Sequence, residues 1–425
     1  MTYLIPMIYV TAAFVAGFTL PRIELAYFPH NFGGLQPNSA LMTLGAISSG
    51  MMSLTAIIFS IAYITVQFNA IAYSPRLALW FASNPRVFHA LGVFIATFVY
   101  SLWMMAWIDR GGDGSVPLVS CTVVMILLIA STYFFTLLIR GLSDLQITNT
   151  LHLLGTKGRA VIAEMYSPAD VPHVARKTLM DLADNARRTP VTQAIRYSGE
   201  PRTIARLDTT ALVRMAERAG AVIEVVCAVG DTLSDDTLLM NVRGARAPVA
   251  EPQLLATIAL DRQRTFEQDP KYALRLLVDI AIKALSAAIN DPTTAVQAID
   301  QIEDILRRLA RKELEAGYIA DASGALRVMF PMPTWEDYLR LSFDEIRHYG
   351  TGSVQVMRRL RSALSSITDA AAGDETRAAI LRAYMKQLDA GISRSQLDAE
   401  DRLVASQEDR QGLGLSRKRA GWRSS

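Results

Sequence analysis

Four apolar stretches dominate the first 140 residues, at about 3–20, 41–67, 87–108 and 116–139, and none contains Asp, Glu, Lys or Arg. A bilayer's hydrocarbon core, about 30 Å thick, takes roughly 20 helical residues to cross, so each stretch has the length and composition of a transmembrane helix. In lipid the backbone must satisfy its own polar groups, and segments of this length do so as helices. Residues 1–140 hold five Arg, no Lys and three acidic residues; the chain's totals are 43 basic and 40 acidic, so 38 basic and 37 acidic residues fall in 141–425. A membrane block is thus followed by a water-soluble block. With a net charge of +3 and 51% hydrophobic residues, the chain is neither disordered nor a basic nucleic-acid binder. Two cysteines, Cys121 and Cys227, are too few for a disulfide framework or a four-thiolate metal site.

The first stretch has no Lys or Arg ahead of it, and Pro21-Arg22 stands where a signal peptide would have a small-residue cleavage site. It is therefore expected to be a retained span. Arg76 and Arg86 lie between the second and third stretches, and Arg140, Lys157 and Arg159 follow the fourth. The positive-inside rule places these connections in the cytoplasm, with both termini and the whole soluble block, in a bacterial inner membrane.

The second stretch carries the most information. Gly45, Ser48, Ser49, Ser53, Ala56 and Ser60 fall on one helical stripe of small and hydroxylic side chains that ends near Gln67. Two readings are open. Small residues allow transmembrane helices to pack closely, and hydroxyls along a narrow pore offer weak, exchangeable contacts to a permeating ion or solute. The absence of charge at membrane depth disfavours proton relays, pumps and ion-coupled carriers. The His residues are scattered singly, and His89 and His152 read as ordinary boundary residues rather than haem ligands.

Beyond Arg140 the pattern stays helical to residue 165, suggesting a stalk over 141–190. Alternation at 192–204 and a β-branched run at Val222–Val226 predict a small β-rich subdomain over 191–245. One helix is inserted in it, at 209–219, with Asp208 or Thr209 as its cap. Residues 246–405 read as helical. Their central helix, at 272–288, has an apolar face and a charged ladder of Arg275, Asp279 and Lys283 spaced four apart. Asn290-Asp291-Pro292 then breaks the pattern, with Asp291 placed to cap the next helix and Pro292 at its first position. Arg262 and Arg264 are expected to meet Asp269 or Asp279. Further helices are expected at 334–349, 353–367 and 374–403, and residues 406–425 read as a disordered tail. The fold class is a mainly α membrane protein: four transmembrane helices, then a cytoplasmic α+β domain that is mostly helical.

Three motifs occur in order: Tyr73-Ser74-Pro75-Arg76 after the second stretch, Gly92–Leu102 in the third, and Val278–Ala295 around Ile289-Asn290-Asp291-Pro292. Together they resemble the bacterial family of predicted membrane proteins numbered 2254 among the domains of unknown function, over about nine tenths of the chain. The resemblance implies an inner-membrane protein with a cytoplasmic domain and brings no assigned activity. Members usually show Ser-Pro-Gly before Ile-Asn-Asp-Pro, where this chain has Ser286-Ala287-Ala288, so its central helix is expected to run closer to Asn290. The β-rich part also lacks a Pro-Gly-Asp turn, having Val229-Gly230-Asp231.

No Gly-rich phosphate loop, nucleophile elbow or His-Glu-x-x-His is present, and the reading is of a non-enzyme without cofactor or metal. Arg76 reads as a topology-setting cation, with a lipid phosphate as the alternative partner. The functional expectation is a homo-oligomeric channel or pore for ions or small solutes with a cytoplasmic regulatory domain. The alternative is a membrane-tethered sensor or scaffold that binds an unidentified cytoplasmic partner.

Overall fold

A computed structural model describes residues 4–27, 36–72, 85–110, 115–143, 147–166, 173–314 and 317–413. The chain divides into two compact units, Met1–Gln146 and Ile147–Ser425.

The first unit has four described helices, α1 (Leu4–Tyr27), α2 (Pro37–Ala72), α3 (Pro85–Met105) and α4 (Leu118–Ser143). All four are long and apolar enough to cross a membrane. The other three pack on α3, whose side chains from Ala90 to Met104 fill the bundle interior. Two glycines make this approach possible. A Cβ on Gly92 would lie 2.6 Å from the Tyr9 ring, and one on Gly17 would lie 2.9 Å from Trp103. Across α3 and α4 the buried Thr97 and Ser131 hydroxyls bond at 3.0 Å.

Helix α1 does not stop at residue 20 but continues through Pro21 to Tyr27. A proline is tolerated inside a membrane helix where neighbouring groups re-satisfy the backbone, and the added turn carries Glu24 to the start of α4. There its carboxylate accepts from the Val119 and Ser120 amides at 2.7 and 2.8 Å and from Ser120 Oγ at 2.7 Å. Glu24 is thus the cap of another helix, supplied in trans along the chain. The third span ends at Met105, before the expected 108, in turns that place Asp109 at φ 50°.

The second unit is built around α9 (Pro270–Ala284), whose Ala273, Leu274, Leu277, Val278 and Ala281 are fully buried. Packed on it are α5 (Ile147–Met165), α10 (Pro292–Leu309) and α11 (Trp335–Gly350), with α12 (Val354–Ala370) on α10. Helix α5 is therefore a core helix, not part of a stalk. Leu151, Leu154, Val161 and Ile162 are buried, and a Cβ on Gly158 would sit 2.9 Å from Ile305 and 3.0 Å from Ala273. Helix α6 (His173–Arg188) buries Ala183 and Ala186 against Leu326 and Met329.

The strands extend beyond the expected 191–245. They are β1 (Val191–Arg196), β2 (Arg202–Leu207), β3 (Val222–Val225), β4 (Thr232–Leu233), β5 (Leu238–Arg243), β6 (Ile258–Asp261), β7 (Tyr318–Ala320) and β8 (Leu326–Met329). Helix α7 (Thr209–Ala219) precedes β3, and the short α8 (Glu251–Leu255) precedes β6. One sheet has the order β1-β5-β3-β8-β7, antiparallel except for the parallel β3–β8 pair; the other has the order β4-β2-β6. A four-residue strand such as β8 offers too few positions to show a period of two, so the hairpin of β7 and β8 is hidden inside a helical stretch.

The expected helix over 374–403 is split into α13 (Glu375–Ser393) and α14 (Ala399–Ala405), because Asp398 caps the second piece by accepting from the Asp401 amide at 2.8 Å. Residues 407–413 are no free tail. Asp409 is buried and accepts from the Gln411 and Gly412 amides at 3.0 Å each, and Gly412 lies so close to Val296 that a Cβ would come within 2.3 Å. Residues 414–425 lie outside the described residues.

A buried guanidinium joins α10 to α12. Arg359, 6% exposed at its side chain, donates to Asp300 at 2.7 Å and to Glu303. Its loss leaves Glu303 with only Arg307 at 3.7 Å, while Asp300 stays half-exposed, so Arg359→Ala is expected to cost about 1–3 kcal/mol. A shift in the chemical-denaturation midpoint of the purified chain measures it.

Candidate functional site

Helix α2 turns two opposite faces to its surroundings. Ala40, Leu44, Ser48, Met51 and Ile58 are buried in the bundle, whereas Ser49, Ser53 and Ser60 are exposed. At 100° per residue the two sets lie about 180° apart. Gly45 is half-buried at the edge, 3.7 Å from Met105 Cε when given a Cβ, and Gln67 is exposed. The Ser60 hydroxyl donates to the Ala56 carbonyl at 3.0 Å. The Ser48 hydroxyl is buried with no hydrogen-bond partner among the described residues. Among the described residues, only Gly45 and Ser48 of the hydroxylic stripe are turned into the bundle. Ser74, Pro75 and Arg76 lie outside the described residues.

In the second unit the charged ladder is an inter-helix fastener. Arg275 Nε donates to Asp279 at 2.7 Å along α9, and its terminal nitrogen reaches Glu345 of α11 at 2.5 Å. One turn past α9 the chain reverses. Asn290 takes φ 49°, the Asp291 amide donates back to the Ala284 carbonyl at 2.8 Å, and Asp291 accepts from the Thr294 amide and hydroxyl at 3.1 and 2.6 Å. That return bond ends α9 at Ala284, short of the extension expected from Ser286-Ala287-Ala288. Pro292 occupies the first position of α10. Because the Asp291 carboxylate occupies the α10 N-terminus, this break offers no open anion site.

Arg264 sits 3.5 Å from Asp269, while Asp279 belongs to Arg275. Asp269 stands at the N-cap of α9, 2% exposed, with the Lys271 and Tyr272 amides facing its carboxylate. Burial pushes its carboxyl above the usual range, against the opposing pull of Arg264 and Lys271. Nearby, the Tyr166 and Tyr338 hydroxyls meet at 2.7 Å; burial raises Tyr166 to about 12 and Tyr338 well above its ordinary value. A cavity of about 270 Å³ opens beside Asp269. The sequence signals only an Arg-Asp cluster here, since the cavity walls come from segments more than 150 residues apart.

A second, wider cleft of about 1670 Å³ lies between the five-stranded sheet and the start of α13. Two of its arginines are engaged within the fold: Arg243 binds Glu224 at 2.7 Å, and Arg377 donates to the Ala310 and Lys312 carbonyls at 2.8 and 3.0 Å.

Four long, apolar helices followed by a charged, mostly helical domain with two small sheets define a membrane protein. Residues 1–366 match the family described as predicted membrane protein (DUF2254), and the chain belongs to that family. Uncharacterized proteins of Mycobacterium bovis and Mycobacterium tuberculosis are each 27% identical to it over 356 residues, covering 81% of this chain. The match spans 66% of each relative's own length, just under two thirds. No solved structure matches.

The turn at Asn290 yields a discriminating pair of variants. Asn and Gly adopt positive φ readily, whereas a β-branched residue there costs roughly 1–2 kcal/mol. Asn290→Gly is expected to leave the melting temperature nearly unchanged and Asn290→Val to lower it. Asp291→Ala, which removes the α10 cap, is expected to cost about 0.5–2 kcal/mol by the same thermal assay.

Proposed function

We propose that this protein is a homo-oligomeric channel or pore for ions or small solutes, in which α2 helices of neighbouring copies face a common axis. The outward hydroxylic face of α2 carries the reading. A polar stripe turned away from its own bundle is poorly matched to lipid and well matched either to a second copy or to water. The Arg and Lys distribution supports a topology with both termini and the second unit in the cytoplasm of a bacterial inner membrane. The second unit then serves as a regulatory domain, and no catalytic role is assigned to it.

Native mass spectrometry of the detergent-purified chain is expected to show three or more subunits. Ser53 is exposed, so Ser53→Trp is turned away from the described core of its own bundle. The assembled variant is expected to lose most of the solute or ion flux of wild-type liposomes. Unchanged flux rejects the pore lining, and a chain that stays monomeric in lipid nanodiscs moves the reading to a tethered sensor or scaffold.

A further inference from the structure

The seam between α1 and α3 ends in two arginines that share one indole. Phe14, Phe18 and Arg22 recur four apart along α1 and so lie on one face of it. The exposed Phe14 and Phe18 rings meet Trp103 of α3 edge-on, at centroid distances of 5.1 and 6.1 Å. At the head of this ladder the Arg22 guanidinium lies 3.9 Å from the Phe18 ring centre and 5.7 Å from that of Trp107, in the turn past α3. The Arg110 guanidinium lies 4.5 Å from the same indole. Both arginines are exposed, and among the described residues neither is ion-paired. The acids beside them in sequence are engaged elsewhere: Glu24 accepts from the start of α4, and Asp109 has interactions of its own. From Leu4 to Arg22 α1 rises about 27 Å, close to the thickness of a hydrocarbon core, which sets the guanidinium at headgroup depth and Phe14 and Phe18 in the acyl-chain layer.

We propose that this seam holds one anionic phospholipid, with its phosphate on the Arg22 and Arg110 guanidiniums and an acyl chain along Phe14 and Phe18. A guanidinium stacked on a ring keeps its N–H edge free, and that planar edge matches two phosphate oxygens. The stacking also holds both cations in place before the lipid arrives, so little side-chain freedom is lost on binding. Two cations without an acid partner favour a headgroup of net negative charge over a zwitterionic one, whose own ammonium they repel. The inference concerns α1, α3 and the turn past α3, and it holds whether or not α2 lines a pore.

The test titrates the full chain in detergent micelles with brominated-chain phosphatidylglycerol or phosphatidylcholine and follows tryptophan emission, which bromine quenches on contact. Phosphatidylglycerol is expected to quench saturably at concentrations at least about tenfold lower than phosphatidylcholine. The double variant Arg22→Gln, Arg110→Gln is expected to abolish that advantage. Trp103→Phe is expected to remove most of the saturable quenching, which locates the lipid at the seam. Arg110→Gln alone alters only an exposed turn; it is expected to reduce the advantage severalfold and decides the matter if the double variant fails to fold. Glycerol 3-phosphate, a headgroup without chains, is expected to leave the lipid in place. Equal quenching by the two lipids, an advantage unchanged in the folded arginine variants, saturable quenching unchanged in Trp103→Phe, or displacement by glycerol 3-phosphate overturns the proposal.

Discussion

The close approach of α1 to α3 is the constraint on which the first unit depends. In a medium as apolar as the side chains themselves, helices gain little from hiding oily surface and much from fitting backbones together. Gly17 under Trp103 and Gly92 under Tyr9 supply that fit and commit α3 to the interior. Once α3 is enclosed, α2 has one partner surface and one free surface, and Leu44, Met51 and Ile58 take the first. The hydroxyls of Ser49, Ser53 and Ser60 are left on the second as a geometrical consequence of which helix is central.

The second unit is organised by a different force. In water, the burial of α9 from nearly every side is the dominant gain, and the turns around it exist to bring its neighbours into place. The left-handed Asn290 and the capping Asp291 reverse the chain so that α10 lies along α9. At the opposite end of α9, Asp269 is drawn into the interior by the same packing, although its chemistry suits a surface. Arg264 and the Gly230 turn then act as a clamp on a charged group that the core has enclosed.

The four long apolar helices, the cap at Asp208 of α7 and the cap at Asp291 of α10 were legible because each rests on a local pattern: an apolar run, or an acid just before a helical repeat. The role of α5 was not legible, since an amphipathic helix following a span reads equally as stalk or core until its partners are known. Strands β7 and β8 were hidden by their shortness and by a pairing with β3 about 100 residues away. The capping role of Glu24 was not legible, because its partners, the Val119 and Ser120 amides, lie about 95 residues further on and carry no sequence signature. Of the candidate sites, the α2 stripe was visible as a period, but which way it faced depended on Gly17 and Gly92. The Asp269 cavity was invisible because no single stretch of chain builds it.

The seating of residues 407–413 has a practical side. Asp409 folds the chain into a tight turn whose Gly412 rests on Val296 of α10, and Gln355 of α12 donates to the Gly412 carbonyl. A stop codon placed after α14 would therefore remove a piece of the interior lining rather than trim a loose end. Fusion partners, affinity tags and cleavage sites belong beyond residue 413, where they leave that lining intact.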